Sequence, residues 1–279
     1  MVAYSAMRTS GESFDVAAVQ LSSQDDVDAN LATARTMVLQ AARRGARLVV
    51  LPEDLAYMGP EHKKREIAAC LECGAQVFDA LSSMSREAGT WVIAGGVPEK
   101  SDNPKRPYNT CAVFSPDGSL VASYHKIHLF DVDLPDGTHL TESHSCQAGC
   151  EPCCVDIEGV RVGLSICYDL RFPELYRRLS EMGAQVVVIP AAFTVVTGKD
   201  HWHVLVRARA IENQVYVVAV GQFGKHPNRS TYGKTMVVDP WGAIVAQCSD
   251  GVGICYHTVD MGYLAEVRRC LPVLRHRKL

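Results

Sequence analysis

Apolar positions along this chain fall into two rhythms. Short runs in which almost every residue is apolar, Val16-Ala-Ala-Val-Gln-Leu21, Arg47-Leu-Val-Val-Leu-Pro-Glu53 and Trp91-Val-Ile-Ala-Gly-Gly96, read as strands covered on both faces. Between the first two, Val27, Leu31, Ala34, Val38 and Ala41 recur at helical spacing. They predict an amphipathic helix that Gly45 ends. A further helix is predicted over 75–88. Beyond Gly96 the alternation of strand and helix gives way to paired strands: 108–114, a Ser115-Pro-Asp-Gly118 turn and 120–124 predict a β-hairpin.

The second half repeats the order. An apolar run ends at Ile166, and a helix is predicted from about Pro173, because proline suits a first helical turn. Val186-Val-Val-Ile-Pro190 reads as a buried strand, 200–213 as a helix, 216–220 as a strand, and a second hairpin turns at Asp239-Pro-Trp-Gly242. Two similar halves of strands and helices place the chain in the α/β class. Neither a short-period repeat nor a low-complexity tract interrupts it.

Composition narrows the function classes. With 279 residues, 47% of them hydrophobic, and no Pro-, Gly- or Ser-rich linker, the chain reads as one domain over 14–279 behind an N-terminal extension, 1–13. A net charge of −3 gives no electrostatic reason to expect nucleic acid or an anionic membrane surface, although a short basic stretch, Arg275-His-Arg-Lys278, lies near the end. Residues 1–13 lack the apolar core of a signal peptide, and no run reaches the ~18 apolar residues of a membrane span. The expectation is a soluble cytoplasmic protein, whose eleven cysteines are mostly thiols and most often act as small buried hydrophobes.

Three strand ends carry chemistry. In Gly163-Leu-Ser-Ile-Cys-Tyr-Asp-Leu-Arg-Phe-Pro-Glu174, Cys167 stands between an apolar strand and a helix start, where unpaired N–H groups and the positive dipole end are expected to favour its thiolate. Glu53 ends the strand at 47–51, and Lys126 ends the strand of Ser119-Leu-Val-Ala-Ser-Tyr-His-Lys126. Taken singly, each has a plainer reading: a buried structural thiol, a helix-capping carboxylate, a solvated lysine. A thiol, a base and a cation at three strand mouths together point to a covalent hydrolase.

With these motifs in this order, the chain resembles the nitrilase superfamily of carbon-nitrogen hydrolases, from about Phe14 to its end. Tyr124-His-Lys-Ile-His-Leu-Phe-Asp-Val-Asp133 and Tyr232-Gly-Lys-Thr-Met-Val-Val-Asp-Pro-Trp-Gly242 are similar to segments of its amidases. The resemblance implies a four-layer α-β-β-α sandwich associating as an αββααββα homodimer or larger homo-oligomer, and a catalytic Glu53, Lys126 and Cys167 with Glu142 as auxiliary carboxylate. The oxyanion would be held by Lys126 and the backbone N–H of Tyr168. No metal or organic cofactor is implied. Within the superfamily the chain is most similar to the branch containing deaminated glutathione amidase and omega-amidase, and Arg268-Arg-Cys-Leu-Pro-Val-Leu-Arg-His276 favours the former. That branch implies a small carboxylate-bearing amide as substrate, with Arg171 on the remote carboxylate and Phe193, Thr194 and Thr197 along the pocket wall. The family often has His-Trp-Glu where this chain has His201-Trp-His203.

Two alternatives stay open at this level. Nitrile hydrolysis or decarbamylation would keep the same three residues. A non-catalytic zinc-binding protein would instead use Cys146, Cys150, Cys153 and Cys154, with His139 and His144 just before them and Cys70 and Cys73 to complete a tetrahedron. These lack paired CxxC knuckles of standard spacing. His201 and His203, two positions apart on a helix at 100° per residue, face different ways.

Overall fold

The computed structural model describes residues 13–60, 63–68, 76–134, 137, 139–227 and 229–278. In the first half, β1 (Ser13–Gln20), α1 (Val27–Arg43), β2 (Leu48–Leu51), α2 (Lys64–Ile67), α3 (Gln76–Ala88) and β3 (Trp91–Glu99) are followed by the hairpin β4 (Tyr108–Phe114) and β5 (Leu120–His125). A small ribbon, β6 (Asp131–Asp133) with β7 (His139–Thr141), leads to β8 (Cys153–Ile157) and β9 (Val160–Leu164). The second half continues with α4 (Pro173–Glu181), β10 (Val186–Ala191), α5 (Val195–Asn213), β11 (Tyr216–Gly221) and a second ribbon of β12 (Phe223–Lys225) and β13 (Ser230–Tyr232). Then come β14 (Met236–Val238), β15 (Ile244–Gln247), β16 (Gly253–Asp260), α6 (Met261–Cys270) and α7 (Val273–His276).

Twelve of these strands build two six-stranded sheets, ordered β16-β1-β2-β3-β4-β5 and β15-β14-β11-β10-β9-β8. In each, three central strands run parallel and antiparallel hairpin strands flank them. The alternation along β1 and β2 explains the unbroken apolar runs. Val16, Ala18, Leu48 and Val50 point into the core shared with the second sheet, whereas Ala17, Val19, Val49 and Leu51 pack beneath α1 and α3. The result is the α-β-β-α sandwich, each sheet covered on one side by the other sheet and on the other by helices.

Local signals hold where they are strongest. α1 ends in a Schellman arrangement: Gly45 takes φ +86°, its N–H bonds Ala42 O at 2.9 Å, and the Ala46 N–H bonds Ala41 O at 3.2 Å. Pro173 occupies the first turn of α4. One boundary moves: α5 begins at Val195, five residues before the expected start near 200. Thr194 caps it, accepting from the Thr197 N–H. The β-branched Val195-Val-Thr197 and Gly198 are poor helix formers, and packing overrides them, since a Cβ on Gly198 would stand 2.4 Å from Cβ of Tyr232.

Glycine also decides how closely the sheets approach near Glu53. A Cβ on Gly95 would lie 2.0 Å from Cβ of Pro190, and one on Gly96 would lie 2.3 Å from the Asp54 amide nitrogen and 2.7 Å from Cγ of Glu53. Gly96 also takes φ +67°. Gly96→Ala is therefore expected to destabilise the fold by about 1–3 kcal/mol or more and to displace Glu53. Thermal melting alongside thiol reactivity of Cys167 checks this; a variant that melts with wild type and keeps the thiol's behaviour would contradict it.

Candidate active site

Three strand ends deliver the principal groups. Glu53 follows β2 by two residues, Lys126 follows β5 at once, and Cys167 comes three residues after β9. All lie beyond carboxyl ends of strands, where α/β folds leave room for ligands. They line one cavity of about 60 Å³ together with Asp54, Lys64, Phe130, Leu140, Thr141, Glu142, Ala192 and Arg229.

Lys126, 2% exposed, is the hub. Its Nζ donates to Glu53 Oε1 at 2.9 Å and to Glu142 Oε2 and Oε1 at 2.8 and 3.1 Å. Asn109 Nδ2 donates to both carboxylates, at 3.0 Å each. The other Glu53 oxygen accepts the Ala192 N–H at 3.0 Å, and Glu142 Oε2 accepts the Phe130 N–H at 2.7 Å. Gln222 Nε2 holds the Glu53 carbonyl at 3.0 Å. Burial alone would lower the Lys126 pKa, but the Glu142 and Glu53 charges outweigh it and hold the ammonium well above the ordinary lysine value. Burial pushes Glu142 the other way, and the Lys126 charge and hydrogen bond bring it down to about 2.

Cys167 sits on a tight turn. It is a non-glycine residue at φ +47°, and it opens a five-residue 3-10 turn, Cys167–Arg171, rather than α4, which starts only at Pro173. Asp169 staples this turn from inside: its Oδ2 accepts the Ile166 N–H at 2.9 Å and the Tyr124 hydroxyl at 2.7 Å, and its Oδ1 accepts the His128 N–H at 3.1 Å and lies 2.7 Å from His128 Nδ1. The first amide of the turn to bond back is that of Asp169, to Ile166 O at 3.0 Å, so the Tyr168 N–H precedes the turn's own bonding.

The expectation of a dipole-stabilised thiolate is corrected here. Burial, then the Glu53 charge, push the Cys167 thiol well above its ordinary value, and Lys126 offsets only part of this. A single 3-10 turn supplies little dipole, so the resting group is a neutral thiol beside a carboxylate.

The four residues expected along the substrate pocket lie apart from this cavity's lining. Arg171 stacks its guanidinium 5.7 Å from the Tyr168 ring centre and 5.2 Å from that of Phe193, with Nη1 3.1 Å from His201 Nδ1. It is one ring removed from the cavity, since Tyr168 meets Phe130 edge-on at 4.9 Å. Phe193 packs on Trp202, and Thr194 and Thr197 bond each other at the start of α5. His203 turns away to Gln247. Among the described residues no group of three or more His, Cys, Asp or Glu stands together to hold a metal ion. Cys146 is buried while Cys150 is exposed, Cys153 and Cys154 are neighbours on β8 and so project to opposite faces, and Cys70 and Cys73 lie outside the described residues.

Comparison with known proteins decides the family. The carbon-nitrogen hydrolase model matches residues 15–269. The chain belongs to the carbon-nitrogen hydrolase family. Deaminated glutathione amidase of Synechocystis is 43% identical over 265 residues, spanning 94% of this chain and 97% of that one, and the Homo sapiens protein of the same name is 40% identical over 272 residues, spanning 94% and 82%. Among solved structures, a Saccharomyces cerevisiae member of branch 10 of the nitrilase superfamily superposes with a TM-score of 0.86 at 32% identity over 96% of this chain and 98% of that one.

In this carbon-nitrogen hydrolase the cavity and its supports include residues that the motifs did not single out. Asn109 is a polar residue within an otherwise buried strand, β4, which is the signal that marks it. Asp169 and Tyr124 lie within the cysteine and lysine motifs and had no separate signal. Lys64 opens the short α2 and Arg229 lies in the β12–β13 connection, and no sequence pattern marked either. The neutral thiol yields a pH test: in Glu53→Gln one raising charge is gone, so the pH midpoint for alkylation of Cys167 by iodoacetamide should fall relative to wild type. An unchanged or higher midpoint would show that Glu53 does not control this thiol.

Proposed function

We propose that this carbon-nitrogen hydrolase is a cysteine-dependent amidase acting on a small carboxylate-bearing amide of the deaminated glutathione type. The observation that carries the reading is the convergence of Cys167, Glu53 and Lys126 in one cavity, with Glu142 as the second carboxylate on the same ammonium. Glu53 takes the thiol proton as Cys167 Sγ attacks the amide carbonyl carbon, so charge never accumulates on the sulfur before bonding begins. The oxygen of the tetrahedral intermediate is met by Lys126 Nζ and the Tyr168 N–H. Lys126 can turn one donor to it by releasing its longer contact, 3.1 Å to Glu142 Oε1, while Glu53 and Glu142 keep it charged.

Collapse of the intermediate breaks the carbon-nitrogen bond, and Glu53 returns its proton to the leaving amine. The thioester that remains is attacked by water, with Glu53 as base and Glu142 holding the ammonium in position. The acid leaves and the thiol is restored. A simple ω-amide gives ammonia as the amine; deaminated glutathione, a 2-oxo diacid joined to a cysteinylglycine amine, gives the dipeptide. Arg171, across the Tyr168 ring from the cavity, suits the carboxylate remote from the scissile amide, with Phe193, Thr194 and Thr197 supporting that wall.

Cys167→Ala should abolish hydrolysis with the fold intact, and Lys126→Met should lower kcat at least ~10²-fold, as loss of an oxyanion donor does. Product analysis on 2-oxoglutaramyl-cysteinylglycine and 2-oxoglutaramate, with wild type and Arg171→Met, tests the substrate. Wild type that prefers the simple amide would refute the peptide-amine assignment, and undiminished kcat/KM of Arg171→Met on both would remove Arg171 from the carboxylate.

The same reading carries assembly and location. Val204 and Ile211 on α5 are 66% and 46% exposed, and Trp241, 58% exposed, lies on the β14–β15 turn whose Gly242 carbonyl accepts from Arg207 of α5. This apolar face supports a homodimer in which helical layers meet, completing αββααββα. The described cysteines are free thiols, which suits a reducing cytoplasm. Light scattering at micromolar concentration should give twice the chain mass, and Trp241→Glu with Val204→Glu should reduce it to one; a wild-type monomer would end the assembly claim.

A further inference from the structure

Away from the cavity, two thiols meet where the sheets come together at one edge. β16 is the outer strand of the first sheet and β15 that of the second. Cys255 lies on β16, paired with Ala18 of β1, and Cys248 directly follows β15. Both belong to the core between the sheets, 8% and 7% exposed. The Cys248 N–H donates to the Thr235 carbonyl at 2.8 Å, and Cys255 Sγ lies 3.8 Å from the same oxygen. The two thiols are also within hydrogen-bond reach of each other. The connection between them, residues 249–254, is short and fixed. Gln20 Nε2 donates to the Ser249 and Gly251 carbonyls at 2.8 and 2.7 Å, while Gln20 Oε1 accepts the Thr235 N–H at 2.9 Å.

The plain reading of two buried cysteines is a pair of small hydrophobes. Here the pair is polarised. A hydrogen bond from the Cys255 thiol brings Cys248 below its ordinary value against the effect of burial, and the same contact, with burial, pushes Cys255 up. One sulfur is thereby the better nucleophile, and the other keeps its proton beside it. Ser249, Asp250 and Val252 are exposed, so Cys248 lies just beneath the surface. Cys167 differs in a way that matters for oxidation. Among the described residues no second cysteine lines its cavity, so a sulfenic acid formed there has no thiol to condense with.

We propose that Cys248 and Cys255 form a reversible oxidation site, which hydrogen peroxide converts to a disulfide tying the edge strands of the two sheets together. Cys248 gives up its proton as its sulfur attacks one peroxide oxygen; the O–O bond breaks, leaving a sulfenic acid and one water. The Cys255 sulfur then attacks that of Cys248, the S–O bond breaks, and the departing oxygen takes the Cys255 proton to leave as a second water. Both sulfurs are oxidised and the peroxide is reduced. The short connection already holds the loop closed, so little chain entropy opposes the bond. In a reducing compartment such a disulfide is transient, since a thiol reductant reverses it by exchange.

The test is made on the wild-type protein. It is exposed to hydrogen peroxide, quenched with catalase, denatured in N-ethylmaleimide and digested with trypsin. Both cysteines fall on the fragment 235–268, with no Lys or Arg between them. In mass spectra this fragment should lose both maleimides on peroxide treatment and regain both after dithiothreitol. Cys255→Ser should abolish the disulfide and leave Cys248 open to dimedone, which traps a sulfenic acid; Cys248→Ser should show neither product on the fragment. Circular dichroism and melting check the variants, and the wild-type result stands alone if one does not fold. A fragment that keeps both maleimides while other cysteines are oxidised would overturn the proposal. So would Cys248 joined to a cysteine elsewhere, or the two sulfurs passing separately to sulfonic acids.

Discussion

A single buried ammonium organises the cavity of this protein. Lys126 is almost wholly withdrawn from water, and such a charge is tolerated only when opposite charges and hydrogen bonds replace its hydration. Glu53 and Glu142 provide them, but two carboxylates on one cation leave negative charge over. Asn109, the Ala192 N–H and the Phe130 N–H absorb that excess. Four of these groups belong to the first sheet or the segment just after it, and Ala192 follows β10 in the second. The cluster is therefore complete only when the two sheets are packed face to face.

That packing has local costs, which collect around Cys167 and Glu53. Asp54 and Cys167 both adopt left-handed backbone conformations that side chains other than glycine seldom take. Gly95 and Gly96 give up a side chain so that β3 can pass against Pro190 and the backbone of Glu53 and Asp54. Asp169 repays part of the strain at Cys167 with bonds to Ile166, Tyr124 and His128, tying the thiol's turn to the strand that carries Lys126. Geometry at the sulfur and geometry at the ammonium are in this way one constraint.

The same burial sets the protonation state. In water the thiol and the carboxylate would each titrate independently; in this cavity the Glu53 charge and the loss of solvent both resist a thiolate. The proposed mechanism accordingly moves the proton during attack instead of storing a charged nucleophile, and Lys126 stays positive beside the oxygen that becomes charged last.

Reading the residues alone determined the α/β class, most element boundaries and the three strand-end groups, because these depend on local periodicity and on motifs contiguous in the chain. Val27 through Ala41 could face only one way on a helix, and the apolar runs at 48–51 and 186–191 could only be strands covered twice. Only the tertiary structure decided which charges meet. Asn109 had to be seen opposite both carboxylates, and Asp54 between Lys64 and Arg229, residues up to 175 positions away. It also reversed the reading of the thiol, since a strand-to-helix junction suggests a helix dipole while the fold supplies a 3-10 turn, a dry cavity and a nearby carboxylate. Periodicity is a property of neighbours along the chain; electrostatics is a property of neighbours in space, and it exists only once the sheets have closed.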